Sequence, residues 1–147
     1  MRDTIRNTLY SSVEIAEGSI QSVLSTEKLV LILNDSLKSL LTAYPSESSK
    51  FKSQAMNVKE IVINLHRPIL ESYVSLTERI AEDVNRFPLL KKSAVPSDYF
   101  GLLKNIKYQN VLVNRLIQTK VLIAVGESFL NRIDVIISLI EKEIKKK

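Results

Sequence analysis

The stretch Ser97–Lys145, SDYFGLLKNIKYQNVLVNRLIQTKVLIAVGESFLNRIDVIISLIEKEIK, decides the fold. It has no proline and two glycines, and its apolar residues recur at helical spacing from end to end. Ser97 follows Pro96 as a good cap, and Asp98 falls in the first turn, where the helix dipole favours a negative charge. Lys142, Lys145, Lys146 and Lys147 complement the opposite end of that dipole.

Stepping along this helix at 100° per residue shows an apolar face that changes direction near Gly126. Before it, Leu102, Ile106, Leu112, Val113, Leu116, Ile117, Val121, Ile123 and Ala124 fill one broad side. After it, Phe129, Leu130, Ile133, Ile136, Ile137, Ile140 and Ile144 lie nearly opposite. Supercoiling absorbs a drift of about 20° per heptad and still leaves about a quarter of a turn. Either the helix bends at Gly126, or its two halves serve different partners.

Upstream, two more helical seams are visible. Leu9, Val13, Ala16, Ile20, Val23, Val30, Leu37, Leu41 and Tyr44 recur in steps of three and four, which predicts a helix over about 3–44 capped by Asp3 or Thr4. Ser25-Thr26-Glu27 resembles a helix start, but the seam keeps its phase across it and favours continuity. The run Leu29-Val30-Leu31-Ile32-Leu33 points apolar groups in every direction and predicts burial on all sides, by the bundle or by a second subunit. Pro45-Ser46-Glu47-Ser48-Ser49 reads as a loop with serine caps.

The second helix is predicted over about 48–87, with the seam Phe51, Ala55, Val58, Val62, Leu65, Ile69, Leu76, Ile80 and Phe87 and a kink at Pro68. Met56, Ile63 and Leu70 flank it every seven residues. Leu89 to Pro96 forms the second loop, after which the third helix runs over about 97–145. The expectation is one all-α domain over 1–147, an elongated antiparallel bundle of three helices each about 60–70 Å long. The alternative is a squatter bundle of four to six helices with breaks near Ser25, Pro68 or Gly126.

Composition bounds the function. The chain has 147 residues, 45% hydrophobic and 25% charged, enough for a core of its own. The absence of cysteine excludes disulfides, thiolate metal sites and cysteine nucleophiles. No window of about twenty residues stays apolar enough to span a bilayer, and Met1 to Arg6 lacks a signal-peptide core, so a soluble intracellular (cytoplasmic) protein is expected. His66 is the only histidine, too few for a dinuclear carboxylate site, and there is no glycine-rich phosphate loop or nucleophile elbow. No catalytic, cofactor or metal site and no small-molecule substrate is expected.

Two interaction readings remain. Met56, Ile63, Leu70 and the Leu29 to Leu33 run offer more apolar surface than a three-helix seam uses, and with Phe129, Ile133, Ile136 and Ile140 beyond Gly126 they point to a protein partner or a homo-oligomer. The row Lys120, Glu127, Asn131 and Asp134 reads as a solvated face; buried in an interface, its Lys120 and Glu127 would fix register. The alternative partner is nucleic acid. The net charge is +5, and residues 97–147 carry nine Lys and Arg against five Asp and Glu. Lys104, Lys107, Tyr108, Arg115 and Gln118 share one face of the last helix, with no acid between Asp98 and Glu127.

Overall fold

The computed structural model describes residues 13–75, 77–78 and 95–145. Those residues are helical without strands, and long helices pack antiparallel with shorter ones, as the periodicity predicts. The expected caps at Asp3 and Thr4, seam positions Leu9, Leu76, Ile80 and Phe87, the loop from Leu89 to Ala94, and Lys146 and Lys147 lie outside the described residues.

The element boundaries differ from the sequence reading. The first expected helix is short: α1 covers Gly18–Ser25 and ends where Thr26 turns extended, its hydroxyl donating to the Ser22 carbonyl at 2.7 Å. A 3-10 turn follows over Glu27–Leu31. With three residues per turn it places Leu29 and Ile32 on one side, where both pack on the core, and turns Val30, Leu31 and Leu33 into solvent. The chain's own bundle therefore covers only one side of this run, which corrects the expectation that the bundle buries it all round.

Helix α2 begins at Asp35 and continues through Pro45 to Glu60. Asn34 caps it, its Oδ1 accepting from the Leu37 amide at 3.1 Å, and Asp35 complements the dipole in the first turn. The loop expected at Pro45–Ser49 does not form. An interior proline costs about 3 kcal/mol, and it sits here among the buried Leu41, Tyr44 and Ser48, whose packing outweighs the broken backbone bond.

The helix then widens into a π-helical segment over Ile61–His66, where the Arg67 amide donates to the Val62 carbonyl five residues back, and resumes as α3 over Arg67–Glu71. Pro68, which has no amide to return to residue 64, lies just beyond the widened turn. The extra residue per turn shifts the seam. Burial proceeds in steps of four through Val58, Val62, His66, Leu70 and Val74, and Leu65 faces outward.

Helix α4 covers Tyr99–Lys104 and α5 covers Ile106–Lys145. Asp98, not Ser97, caps α4 by accepting from the Gly101 amide at 2.7 Å. Asn105 interrupts the chain and caps α5 by accepting from the Tyr108 amide at 3.1 Å. No break occurs at Gly126: α5 is one continuous helix.

Two compact units divide the chain, one built on Ser11–Asn57 with Thr119–Lys147 and the other centred on Val58–Gln118. In the first, Leu37, Leu41 and Tyr44 of α2 pack on Phe129 and Ile136 of α5, with Ile20 and Leu24 of α1 against them. Ring centroids of Tyr44 and Phe129 lie 5.2 Å apart, those of Phe51 and Phe129 6.1 Å, and Asn34 reaches Glu143. Numbers rise along α2 as they fall along α5, so the pair is antiparallel. In the second unit Leu70, Val74, Leu102 and Tyr108 form the core. Its strand-free turn is tied by the Asp98 amide donating to the Tyr73 carbonyl at 2.8 Å and Asn105 Nδ2 donating to the Tyr73 hydroxyl at 2.8 Å.

Candidate functional site

Helix α5 presents two distinct seams. One is buried or half-buried and runs Tyr108, Val111, Arg115, Gln118, Leu122, Val125, Phe129 and Ile136, in steps of three, four and once seven. The other lies one residue further round and carries Leu116, Ile123, Leu130, Ile137 and Ile144, an unbroken row at every seventh position. These five side chains are between 48% and 68% exposed. A row that repeats every seven residues is the pattern that packs along another helix.

The second seam explains why the apolar face looked as though it changed sides at Gly126. The inward seam is aromatic and aliphatic after Gly126, with Phe129 and Ile136, but mixed before it, where Arg115 and Gln118 interrupt Tyr108, Val111, Leu122 and Val125. Averaging residue types therefore assigned the core of the first half to its outer face. Leu112, Val113, Leu116, Ile117 and Val121, expected inward, are exposed.

The predicted interface residues separate accordingly. Met56, Ile63 and Ile140 are exposed, and Ile133 is half-buried against the core. Leu70, Phe129 and Ile136 are core residues: Leu70 packs with Val74, Leu102 and Tyr108, and Phe129 and Ile136 pack on Leu37, Leu41 and Tyr44 of α2. Sequence reasoning missed the seven-residue row itself, which was visible by counting at 3.5 residues per turn instead of 3.6. Lys120, Glu127, Asn131 and Asp134 are solvent-exposed.

The predicted basic face is not one outward patch. Lys104 and Lys107 are exposed, and the Lys104 ammonium lies 3.9 Å from the centre of the Phe100 ring. Tyr108 is buried at 1% exposure, and Arg115 and Gln118 are half-buried. The reason is His66: after the π-helical shift it points into the second unit, its ring 5.5 Å from that of Tyr108, and Arg115 Nη1 lies 3.1 Å from its Nδ1. Burial, reinforced by the Arg115 guanidinium, holds His66 below its ordinary value near 6.5. Burial also raises the Tyr108 phenol. His66 Nε2 is buried without a hydrogen-bond partner among the described residues.

A second polar cluster lies in the first unit. The fully buried Ser48 donates its hydroxyl to Glu17, and Lys52 Nζ reaches the same carboxylate oxygen at 2.6 Å. The Lys52 hydrogen bond, then that of Ser48, lowers the Glu17 pKa. An open depression of about 480 Å³ in the same unit, beside Leu40, Ala124 and Asn131, includes Glu127 and Arg132 as its titratable groups. Among the described residues no three of His, Cys, Asp and Glu stand together as a metal site, and no helix is long and apolar enough to cross a membrane.

No protein-family model, curated protein or solved structure matches the chain.

Proposed function

We propose that this protein is a non-enzymatic helical assembly protein, which self-associates or serves as a structural subunit through an apolar helix face. One observation carries the reading: the row Leu116, Ile123, Leu130, Ile137 and Ile144 on α5, each about half exposed or more. Fully burying a Leu or Ile side chain is worth about 1.5–3 kcal/mol, so each of these retains roughly half of that for a partner. Isolated exposed leucines are ordinary on protein surfaces; a contiguous aliphatic row along one helix marks an interaction surface.

Sedimentation and light scattering across a wide concentration range test the reading. The expected result is a species heavier than the 16.7 kDa chain, or a monomer that binds an apolar dye and loses that binding when Ile123 and Leu130 are replaced by serine. A 16.7 kDa monomer that binds no such dye at any concentration overturns it.

A further inference from the structure

Every seventh residue of the exposed row is matched by a companion three residues on: Thr119, Gly126, Ile133 and Ile140. Together they make the alternating three-and-four spacing of a coiled-coil seam. Thr119, Gly126 and Ile133 are half-buried and Ile140 is exposed, so this second line forms the inner rim of the seam. Lys120 and Glu127 each sit one residue past a rim position, on the same flank, and both are exposed.

We infer, building on the assembly reading, that the occupant of this seam is α5 of a second copy of the chain, running antiparallel. In an antiparallel pair each outer-row residue faces a rim residue of its partner, and residues on equivalent flanks face each other. Setting Ile123 opposite the partner's Gly126 sets Thr119 opposite the partner's Leu130. The same register places Lys120 against the partner's Glu127, twice by symmetry. Gly126 has no side chain of its own there, and the Phe51 ring, 3.1 Å from where its Cβ would stand, forms the inner edge of the seam at this point.

The charges select this register. Sliding by one heptad in one direction keeps two ion pairs, Lys120 with Asp134, but brings Glu127 against its own copy; sliding in the other brings Lys120 against its own copy. A slide of two heptads that pairs Lys120 with Glu141 also sets Glu127 against Asp134. Parallel pairing would turn Lys120 toward the partner's Arg115, a like charge, and Glu127 toward the partner's Leu122, which carries none. The antiparallel register offers two ion pairs and no like-charge contact.

The chain has no cysteine, so single cysteines report the register directly. Thr119→Cys and Leu130→Cys are prepared separately, checked for helicity, and oxidised alone and mixed. The expected result is a disulfide-linked dimer on mixing and little in either variant alone. Lys120→Glu or Glu127→Lys alone is expected to weaken dimerisation about tenfold, and the double reversal to restore it. Cross-linking of each cysteine variant with itself overturns the antiparallel pairing. An oligomer that forms without the mixed disulfide and ignores both charge reversals overturns the seam while leaving assembly through another face. A monomer at all concentrations overturns the pairing, and apolar-dye binding then decides separately whether the assembly reading survives.

Discussion

Arg115 Nη1 donates to His66 Nδ1 across 3.1 Å, and that bond fixes the tautomer of the chain's only histidine. A guanidinium can only donate, so Nδ1 accepts and the imidazole proton sits on the buried Nε2. The ring is therefore neutral in the folded protein, in keeping with its lowered pKa. The unfolded chain takes up a proton near pH 6.5, and the folded chain only at lower pH. Stability is complete above about pH 6.5 and declines as pH falls below it, by up to about 1.4 kcal/mol per unit. Chemical denaturation at pH 7 and pH 5 should show this loss in the wild type and not in His66→Leu. The Glu17 carboxylate contributes in a separate window, because its lowered pKa lets its contribution fade only as pH drops below about 4.5. Equal losses in both proteins between pH 7 and 5 would contradict the buried neutral ring.

The same histidine marks where the sequence stops being legible. Ala55, Val58 and Val62 were readable as core from their three-and-four spacing, and all three are buried. The π-helical turn then adds one residue, and His66 takes the inward place that the spacing assigned to Leu65. Nothing in residue type announces such a turn except Pro68 downstream. In α5 the difficulty was chemical: Arg115 and Gln118 occupy inward positions, so polarity and burial disagree along the first half of the helix. Pro45 was misread for a similar reason, since the burial of Leu41, Tyr44 and Ser48 overrides a local preference that favours a break.

Asn105 performs two tasks that substitution can separate. Its Oδ1 accepts from the Tyr108 amide at the start of α5, and its Nδ2 donates to the Tyr73 hydroxyl at 2.8 Å. Asn105→Ala removes both and should cost about 1–2 kcal/mol, the range for a lost N-cap. Asn105→Asp keeps the cap, gains a favourable charge at the helix N-terminus and loses only the donor to Tyr73. Thermal unfolding should rank the wild type and Asp above Ala. An alanine variant as stable as the wild type would show that the cap contributes nothing.

Gly126 has a packing reason to be glycine that is independent of any bend. A Cβ at this position would stand 3.1 Å from Phe51 Cε2, so the ring must yield by a few tenths of an ångström. Alanine gains about 1 kcal/mol of helix propensity, which offsets that adjustment, so Gly126→Ala should be close to neutral. Gly126→Val pushes further atoms into the ring and should cost about 1–3 kcal/mol as overpacking. Phe51→Leu should relieve most of the valine penalty, giving a clear coupling in a double-mutant cycle measured by urea unfolding. Additive effects would mean that Phe51 is not what limits the site.

Phe129 and Leu130 are neighbours in sequence with opposite obligations. Phe129 is 6% exposed and meets the Tyr44 and Phe51 rings, whereas Leu130 belongs to the outward row. Phe129→Ala opens a cavity between α2 and α5 and should cost about 3–5 kcal/mol of folding stability. Leu130→Ser removes a side chain that touches little of its own chain, so at high dilution its effect should stay within about 0.5 kcal/mol. At high concentration the ranking gains a second axis. The wild type becomes more stable as association rises, and Leu130→Ser does not, because binding that requires the folded state adds to apparent stability by mass action. Unfolding midpoints measured across concentration separate the two roles. A large loss from Leu130→Ser at high dilution would place Leu130 in the core, contrary to its exposure.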